Sequence, residues 1–202
     1  MNLPREMLCG VLALLALACG SSPSFAVNGT IHGRALKAGD SMGFAGWLVD
    51  VAAGGSRNVA IVEMTNQSRI CSLTTATQQR RNSQYLNIIF HDEIDDQIPS
   101  ITAGAYTAHL SASEQPRKWA WMTYFETDAS CQIAVASQAS STSGSVTLTS
   151  MNVNNGDLSG SFDVGLDSGD RITGSFKTTH CDGFLAPLLL QQRYCIEAEA
   201  SE

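Results

Sequence analysis

The chain has 202 residues, 15% of them charged, and a formal net charge of −7 at pH 7. This length is sufficient for one domain with a buried core. The mildly acidic balance favours solubility and argues against a nucleic-acid partner. Small hydroxyl residues and glycine are abundant, which is typical of a chain rich in β-strands.

The N-terminus is typical of an export signal. An apolar run extends from Met7 to Ala18. A bilayer-spanning helix needs about 20 residues, so this run is too short to span, but it has the length of a signal-peptide apolar region. We therefore predict a signal peptide at residues 1–18, a tether at 19–27 and a single β domain at 28–202.

Two cleavage sites compete after the apolar run. Residues 15–19 (LALAC) form a partial lipobox, in which Ala16 stands where such motifs usually have leucine. In this interpretation Cys19 receives a diacylglyceryl thioether, becomes the mature N-terminus and anchors the protein to the membrane. In the alternative, residues 24–26 (SFA) are an ordinary cleavage site, and a soluble secreted or periplasmic chain starts at Val27.

Four further cysteines lie in the exported part of the chain. An even number in an oxidising compartment predicts two disulfide bonds. Three pairings are open, and we favour Cys181–Cys195, which would hold the C-terminal tail, together with Cys71–Cys131. Their spacing contains no C-x-x-C motif, so we predict neither a zinc site nor a redox site, and no cofactor.

The middle of the chain predicts short strands and one short helix. The helix is expected within residues 68–80, with Ser68 as its N-cap, and its threonines argue against a longer one. A glycine pair at 54–55 indicates a hairpin. The predicted strands are a weak segment at 30–36 and the stretches 44–53, 58–64, 85–90, 104–110, 119–126 and 131–136.

The last third repeats a small-Gly-Ser-apolar pattern at residues 143–146, 159–162 and 173–176, with turn signals at 154–157 and 167–170. Alternating residues from Leu158 to Leu166 and from Ile172 to Phe176 are apolar or glycine, which predicts an antiparallel sheet with one buried face. The glycines on that face would either leave room for large neighbours or let the sheet bend. We predict an all-β fold, an antiparallel β-sandwich or open barrel with one short helix, and we expect the apolar residues 184–190 to pack on its core.

This ending resembles a group of uncharacterised bacterial lipoproteins. The similarity lies in residues 144–149 (GSVTLT), 160–164 (GSFDV) and 169–176 (GDRITGSF), closing on Cys181. Those proteins also begin with a lipobox cysteine, a short tether and a β-rich domain. The resemblance implies a fold and an envelope location, and Gly20 after the cysteine implies the outer membrane. It brings no catalytic residues.

Two local features are candidates for ligand binding. Trp119 and Trp121 would share a face of a strand and form a sugar or peptide platform, although ordinary packing is the preferred explanation. Asp92, Glu93, Asp95 and Asp96 are a weak candidate for calcium, which takes six to eight oxygen ligands. They lack the spacing of an EF-hand loop, so a solvated loop is preferred and no metal is predicted.

We name no catalytic residue. Histidines 32, 91, 109 and 180 are scattered, and no G-x-S-x-G nucleophile motif is present. The sequence therefore predicts a lipid-anchored or secreted bacterial envelope protein without enzymatic activity, whose protein or glycan partner is open. The alternatives are a secreted carbohydrate- or ion-binding module and an unrecognised hydrolase.

Overall fold

A computed structural model describes residues 23–50, 55–92, 101–108, 117–152, 157–181 and 194–197. The predicted all-β class is confirmed, because the chain forms one large curled sheet, a half-barrel, and no long helix in these ranges. Its short helical segments are α1 (Ile70–Thr75) and a 3₁₀ turn (Val135–Ser137). The strands are β1 (Ser24–Asn28), β2 (Asp40–Asp50), β3 (Gly55–Thr65), β4 (Gln78–Arg80), β5 (Gln84–Asp92), β6 (Gly104–Ala108), β7 (Lys118–Glu126), β8 (Ala139–Asn152), β9 (Asp157–Leu166), β10 (Arg171–Lys177), β11 (Thr179–His180) and β12 (Tyr194–Ile196).

Ten strands form the large sheet in the order β1-β10-β9-β8-β6-β7-β5-β3-β2-β11. Most neighbours are antiparallel, as predicted, but β6–β7 and β2–β11 are parallel. A separate two-stranded sheet pairs β12 with β4 in parallel. The single curled sheet corresponds to the open-barrel alternative rather than to the sandwich.

The single-residue connection at Thr178 requires the sheet to curl. It is the only residue between β10, near one end of the sheet, and β11, at the other end. The chain therefore links the two ends of the sheet in a single step. Thr178 is buried, its N–H donates to Leu158 O at 2.8 Å, and its Oγ1 accepts the Leu158 N–H at 3.2 Å.

The inner face of the half-barrel holds the main core. The predicted alternation along β9 and β10 is confirmed, since the apolar positions are buried and Ser161 and Asp163 are exposed. Phe176 lies opposite Gly160, and Phe162 lies opposite Gly174. Other fully buried members of this core are Leu86, Ile88, Phe90, Tyr106, Met122, Val146, Leu148 and Val164.

A second, smaller core covers the outer face of β2, β3 and β5. Met42, Phe44, Ile61 and Tyr85 pack there with Ile70 of α1. The carboxylate of Asp40 holds the start of this helix, because Oδ2 accepts the Ile70 N–H at 3.0 Å. No helix in the described ranges is long and apolar enough to cross a membrane.

The predicted disulfide pairing is wrong, although all four cysteines are bonded. Cys71 pairs with Cys181, and Cys131 pairs with Cys195, with Cα–Cα distances of 5.5 and 5.6 Å. The favoured pairing joins Cys181 to Cys195 so that the C-terminal tail is held. The curled sheet instead carries Cys181, which directly follows β11, to the outer face beside α1.

A short helix lies within the predicted range 68–80, but it has only six residues, Ile70–Thr75, and its predicted cap is wrong. Arg69, not Ser68, occupies the N-cap position with φ 56°, and it makes no side-chain cap hydrogen bond. The helix ends early because Thr77 has φ 54°, the left-handed conformation that turns the chain into β4. Left-handed backbone is unfavourable for a β-branched residue such as threonine, so the sequence gives little warning of this turn.

Residues 131–136 do not form the predicted strand. Cys131 has φ 60°, and Asp128 O accepts its N–H at 3.1 Å, so the segment is a turn followed by the 3₁₀ turn.

Near the N-terminus, β1 begins at Ser24, inside the predicted tether. The hairpin residues 53–54, the turn residues 154–156 and the apolar stretch 184–190 lie outside the described residues.

Candidate functional site

One end of the half-barrel carries an open, polar cleft. Gln84 begins β5 and Glu126 ends β7, and the two residues pair in register, so their side chains meet at the rim. The segment before β2 adds Arg34 and Lys37. The cleft has a volume of about 630 Å³. A neighbouring cavity of about 230 Å³ shares Arg34 and Glu126 with it.

A chain of hydrogen bonds fixes the carboxylate of Glu126. Oε2 forms an ion pair with Nη1 of Arg34, and Oε1 accepts the hydroxyl of Tyr124 at 2.6 Å. Gln84 Nε2 in turn donates to the Tyr124 hydroxyl oxygen at 3.0 Å. Burial, followed by the hydrogen bond and charge of Glu126, raises the pKa of Tyr124, so its hydroxyl remains a donor.

The rim beside this network carries amides and a second carboxylate. Asn66 Oδ1 accepts the backbone N–H of Gln84 at 2.9 Å. Asp128 Oδ1 accepts the N–H groups of Ser130 and Gln132 at 2.7 and 2.9 Å, which orders the turn after β7. Asn82 also lines the cleft and is exposed.

Two residues with left-handed backbone border the cleft and its neighbouring cavity. Asn82, with φ 55°, lines the cleft, and His32, with φ 50°, lines the neighbouring cavity. Non-glycine residues in this region are uncommon and are held there by their surroundings. The His32 N–H donates to Asp170 Oδ2 at 2.9 Å, and this bond, with one from Ser168, lowers the pKa of Asp170.

The lining defines what the cleft accepts. Its charged groups are Arg34, Lys37, Glu126 and Asp128, two of each sign. Among the described residues that line this cleft, the apolar side chains are alanines and none carries an aromatic ring. The cleft is therefore suited to a ligand held by hydrogen bonds and charge rather than by apolar contact.

The tryptophan pair lies on the outer face of β7. Trp119 is partly buried and stacks on His91 at 3.7 Å between ring centroids, while Trp121 is 39% exposed beside Ile89. The predicted common face is therefore present. A platform needs two accessible rings, and one ring of this pair is already stacked. Ligand binding by the pair stays a prediction.

Asp92 is a buried ion-pair partner in this structure. Its side chain is 1% exposed, and it contacts Arg117 Nε at 3.1 Å and Lys118 Nζ at 3.8 Å. Glu93, Asp95 and Asp96 of the calcium hypothesis lie outside the described residues. In the part of the chain that the structure describes, no group of three or more His, Cys, Asp or Glu residues is placed to hold a metal.

The three described histidines lie apart. His32 Nε2 contacts Gln138 O at 3.1 Å near the cleft, His91 stacks on Trp119, and His180 stacks on Phe44 at 6.0 Å. His109 lies outside the described residues.

The chain matches no protein-family model, no curated protein and no solved structure.

Sequence reasoning missed the cleft entirely. Its lining comes from four separate segments, 34–37, 66, 82–84 and 126–134. Each contributes one to four ordinary polar or small residues with no local motif. Only the pairing of β5 with β7 and the position of the segment before β2 bring them together.

Proposed function

We propose that this protein is a bacterial envelope protein anchored through a lipid on Cys19 and that it acts by binding rather than by catalysis. The observation that carries the anchoring is the position of β1. Cleavage after Ala26 would leave only Val27 and Asn28 of this five-residue strand. A mature chain beginning at Cys19 retains the whole strand.

Phe25 shows how much the alternative cleavage would remove. Phe25 is 9% exposed as a residue and belongs to the main core. The backbone of β1 pairs with β10 in register from Ser24 opposite Lys177 to Asn28 opposite Thr173. Removing a buried phenylalanine side chain from a core costs about 3–5 kcal/mol. This supports cleavage upstream of Ser24, where the lipobox lies.

The disulfides support the compartment. All four cysteines of the described domain are in two bonds, one of which closes a loop across a sequence separation of 110 residues. Stable disulfides form in oxidising compartments such as the periplasm and are rare in the cytosol. The resemblance to bacterial lipoproteins supports the same location, and the polar cleft supports a binding role.

Metabolic labelling with a fatty-acid analogue in a double-membraned bacterial host tests the anchor. We expect the wild type and Cys9→Ser to carry the label and Cys19→Ser to carry none. Cys9→Ser is a matched control because it also removes a cysteine from the leader. An unlabelled wild type, or label that persists in Cys19→Ser, would contradict the proposal.

A further inference from the structure

We propose that the cleft binds a carboxylate-bearing saccharide, with the guanidinium of Arg34 pairing with the ligand's carboxylate. Small-ligand sites have volumes of roughly 300–1,000 Å³. The cleft, at about 630 Å³, lies within this range, and the neighbouring cavity, at about 230 Å³, lies just below it. The proposal concerns the β domain alone and does not depend on the lipid anchor.

The unused hydrogen-bonding groups favour an anionic ligand. The side chain of Arg34 is 69% exposed, and its Nη1 donates to Glu126. In the described structure this leaves Nε and Nη2 of the planar guanidinium group open to a ligand. Lys37 has no ion-pair partner among the described residues. Glu126 already pairs through Oε2 with Arg34 and accepts the Tyr124 hydroxyl through Oε1, so its charge is partly offset within the protein and attracts a ligand cation less.

The balance of charge favours a carboxylate over a more highly charged group. Arg34 and Lys37 are offset by Glu126 and Asp128 in the same cleft. A dianion such as a phosphate monoester would be repelled by the two carboxylates as well as attracted by the two cations. A single carboxylate fits the planar guanidinium through two parallel hydrogen bonds.

The amides favour a saccharide over a peptide. Asn82 and the amide nitrogen of Asn66 supply donors, and the second oxygen of Asp128 supplies an acceptor. Sugar hydroxyls both donate and accept, so such a mixed set suits them. The only apolar side chains among the described lining residues are alanines. This lining therefore provides no subsite for the larger apolar side chains of a peptide.

Titration of the disulfide-bonded protein with trigalacturonate, followed by calorimetry or NMR, tests the site. We expect saturable binding that Arg34→Gln weakens about tenfold, as loss of a charge-assisted hydrogen bond predicts. Arg34→Lys keeps the positive charge but loses the planar guanidinium group, so its affinity should lie between those of the wild type and Arg34→Gln. Arg171→Gln is the matched control, because Arg171 is similarly exposed at 62% and pairs with Asp163 on the outside of β10.

The comparison ligands separate the parts of the proposal. Maltotriose bound as tightly as trigalacturonate would overturn the role of the carboxylate, and triglutamate bound as tightly would overturn the saccharide. If no binding is detected at about 10 mM ligand, the dissociation constant lies well above that concentration, and this result would overturn the proposed site. Unchanged affinity in Arg34→Gln, with its unfolding midpoint preserved, would place binding elsewhere. Failure of lipid labelling affects none of these outcomes.

Discussion

Gly160 and Gly174 make space on the inner face for the phenylalanine rings of the opposite strand. A Cβ on Gly160 would overlap the backbone O of Thr147 and would lie 2.6 Å from Cζ of Phe176. A Cβ on Gly174 would overlap both the backbone O of Ala26 and the ring of Phe162. Both pairs join residues that lie opposite each other in the register of β9 and β10. The glycines are therefore required by the close approach of a neighbouring backbone carbonyl and by the packing of the rings, of which the sequence pattern predicted only the room for large neighbours.

Gly160→Ala should destabilise the protein by about 1–3 kcal/mol, because an added methyl group in a packed core forces ring and backbone shifts. The measurement is the free energy of unfolding in urea under non-reducing conditions. Ser161→Ala is the control, since Ser161 neighbours Gly160 but faces solvent. Equal stability of the two variants would contradict this account of the inner face.

At the scale of elements, the disulfides hold segments that are too short to be stable alone. The strands β4 and β12 have three residues each, and Cys195 joins β12 to the turn at Cys131. Further bonds run from Tyr194 N to Thr77 O at 2.7 Å and from Arg81 N to Ile196 O at 3.1 Å. A two-stranded sheet of this size is marginal in water.

The double substitution Cys131→Ser with Cys195→Ser should release β12 while the large sheet persists. We expect a loss of about 2–4 kcal/mol, the usual contribution of a native disulfide, and loss of amide-exchange protection confined to β4 and β12. Cys71→Ser with Cys181→Ser is the comparison, and its loss of protection should instead centre on α1. Protection lost equally across β9 and β10 in the first variant would contradict this division.

The elements divide into those that local sequence specifies and those that distant contacts specify. The strands β9 and β10 were predictable because apolar and polar residues alternate along them with turn residues between. The turn at Cys131 and the early end of α1 depend on left-handed residues and on partners far along the chain. The disulfide pairing and the cleft follow from the curl of the sheet, which no local pattern encodes.

At the scale of the whole molecule, the half-barrel depends on how its two ends are completed. Thr178 carries the chain from β10 to β11 at the far edge, and β1 forms the other edge by pairing with β10. An export-signal pattern overlaps this edge strand, since residues 24–26 were also a candidate cleavage site. We propose that these residues belong to the folded protein and not to its leader.

Urea unfolding of two disulfide-bonded chains tests this claim most directly, one starting at Pro23 and the other at Val27. The first retains all of β1 and should match a chain starting at Gly20. The second lacks Phe25 and most of the pairing with β10 and should be less stable by about 3 kcal/mol or more. Equal stability of the two chains would contradict the claim.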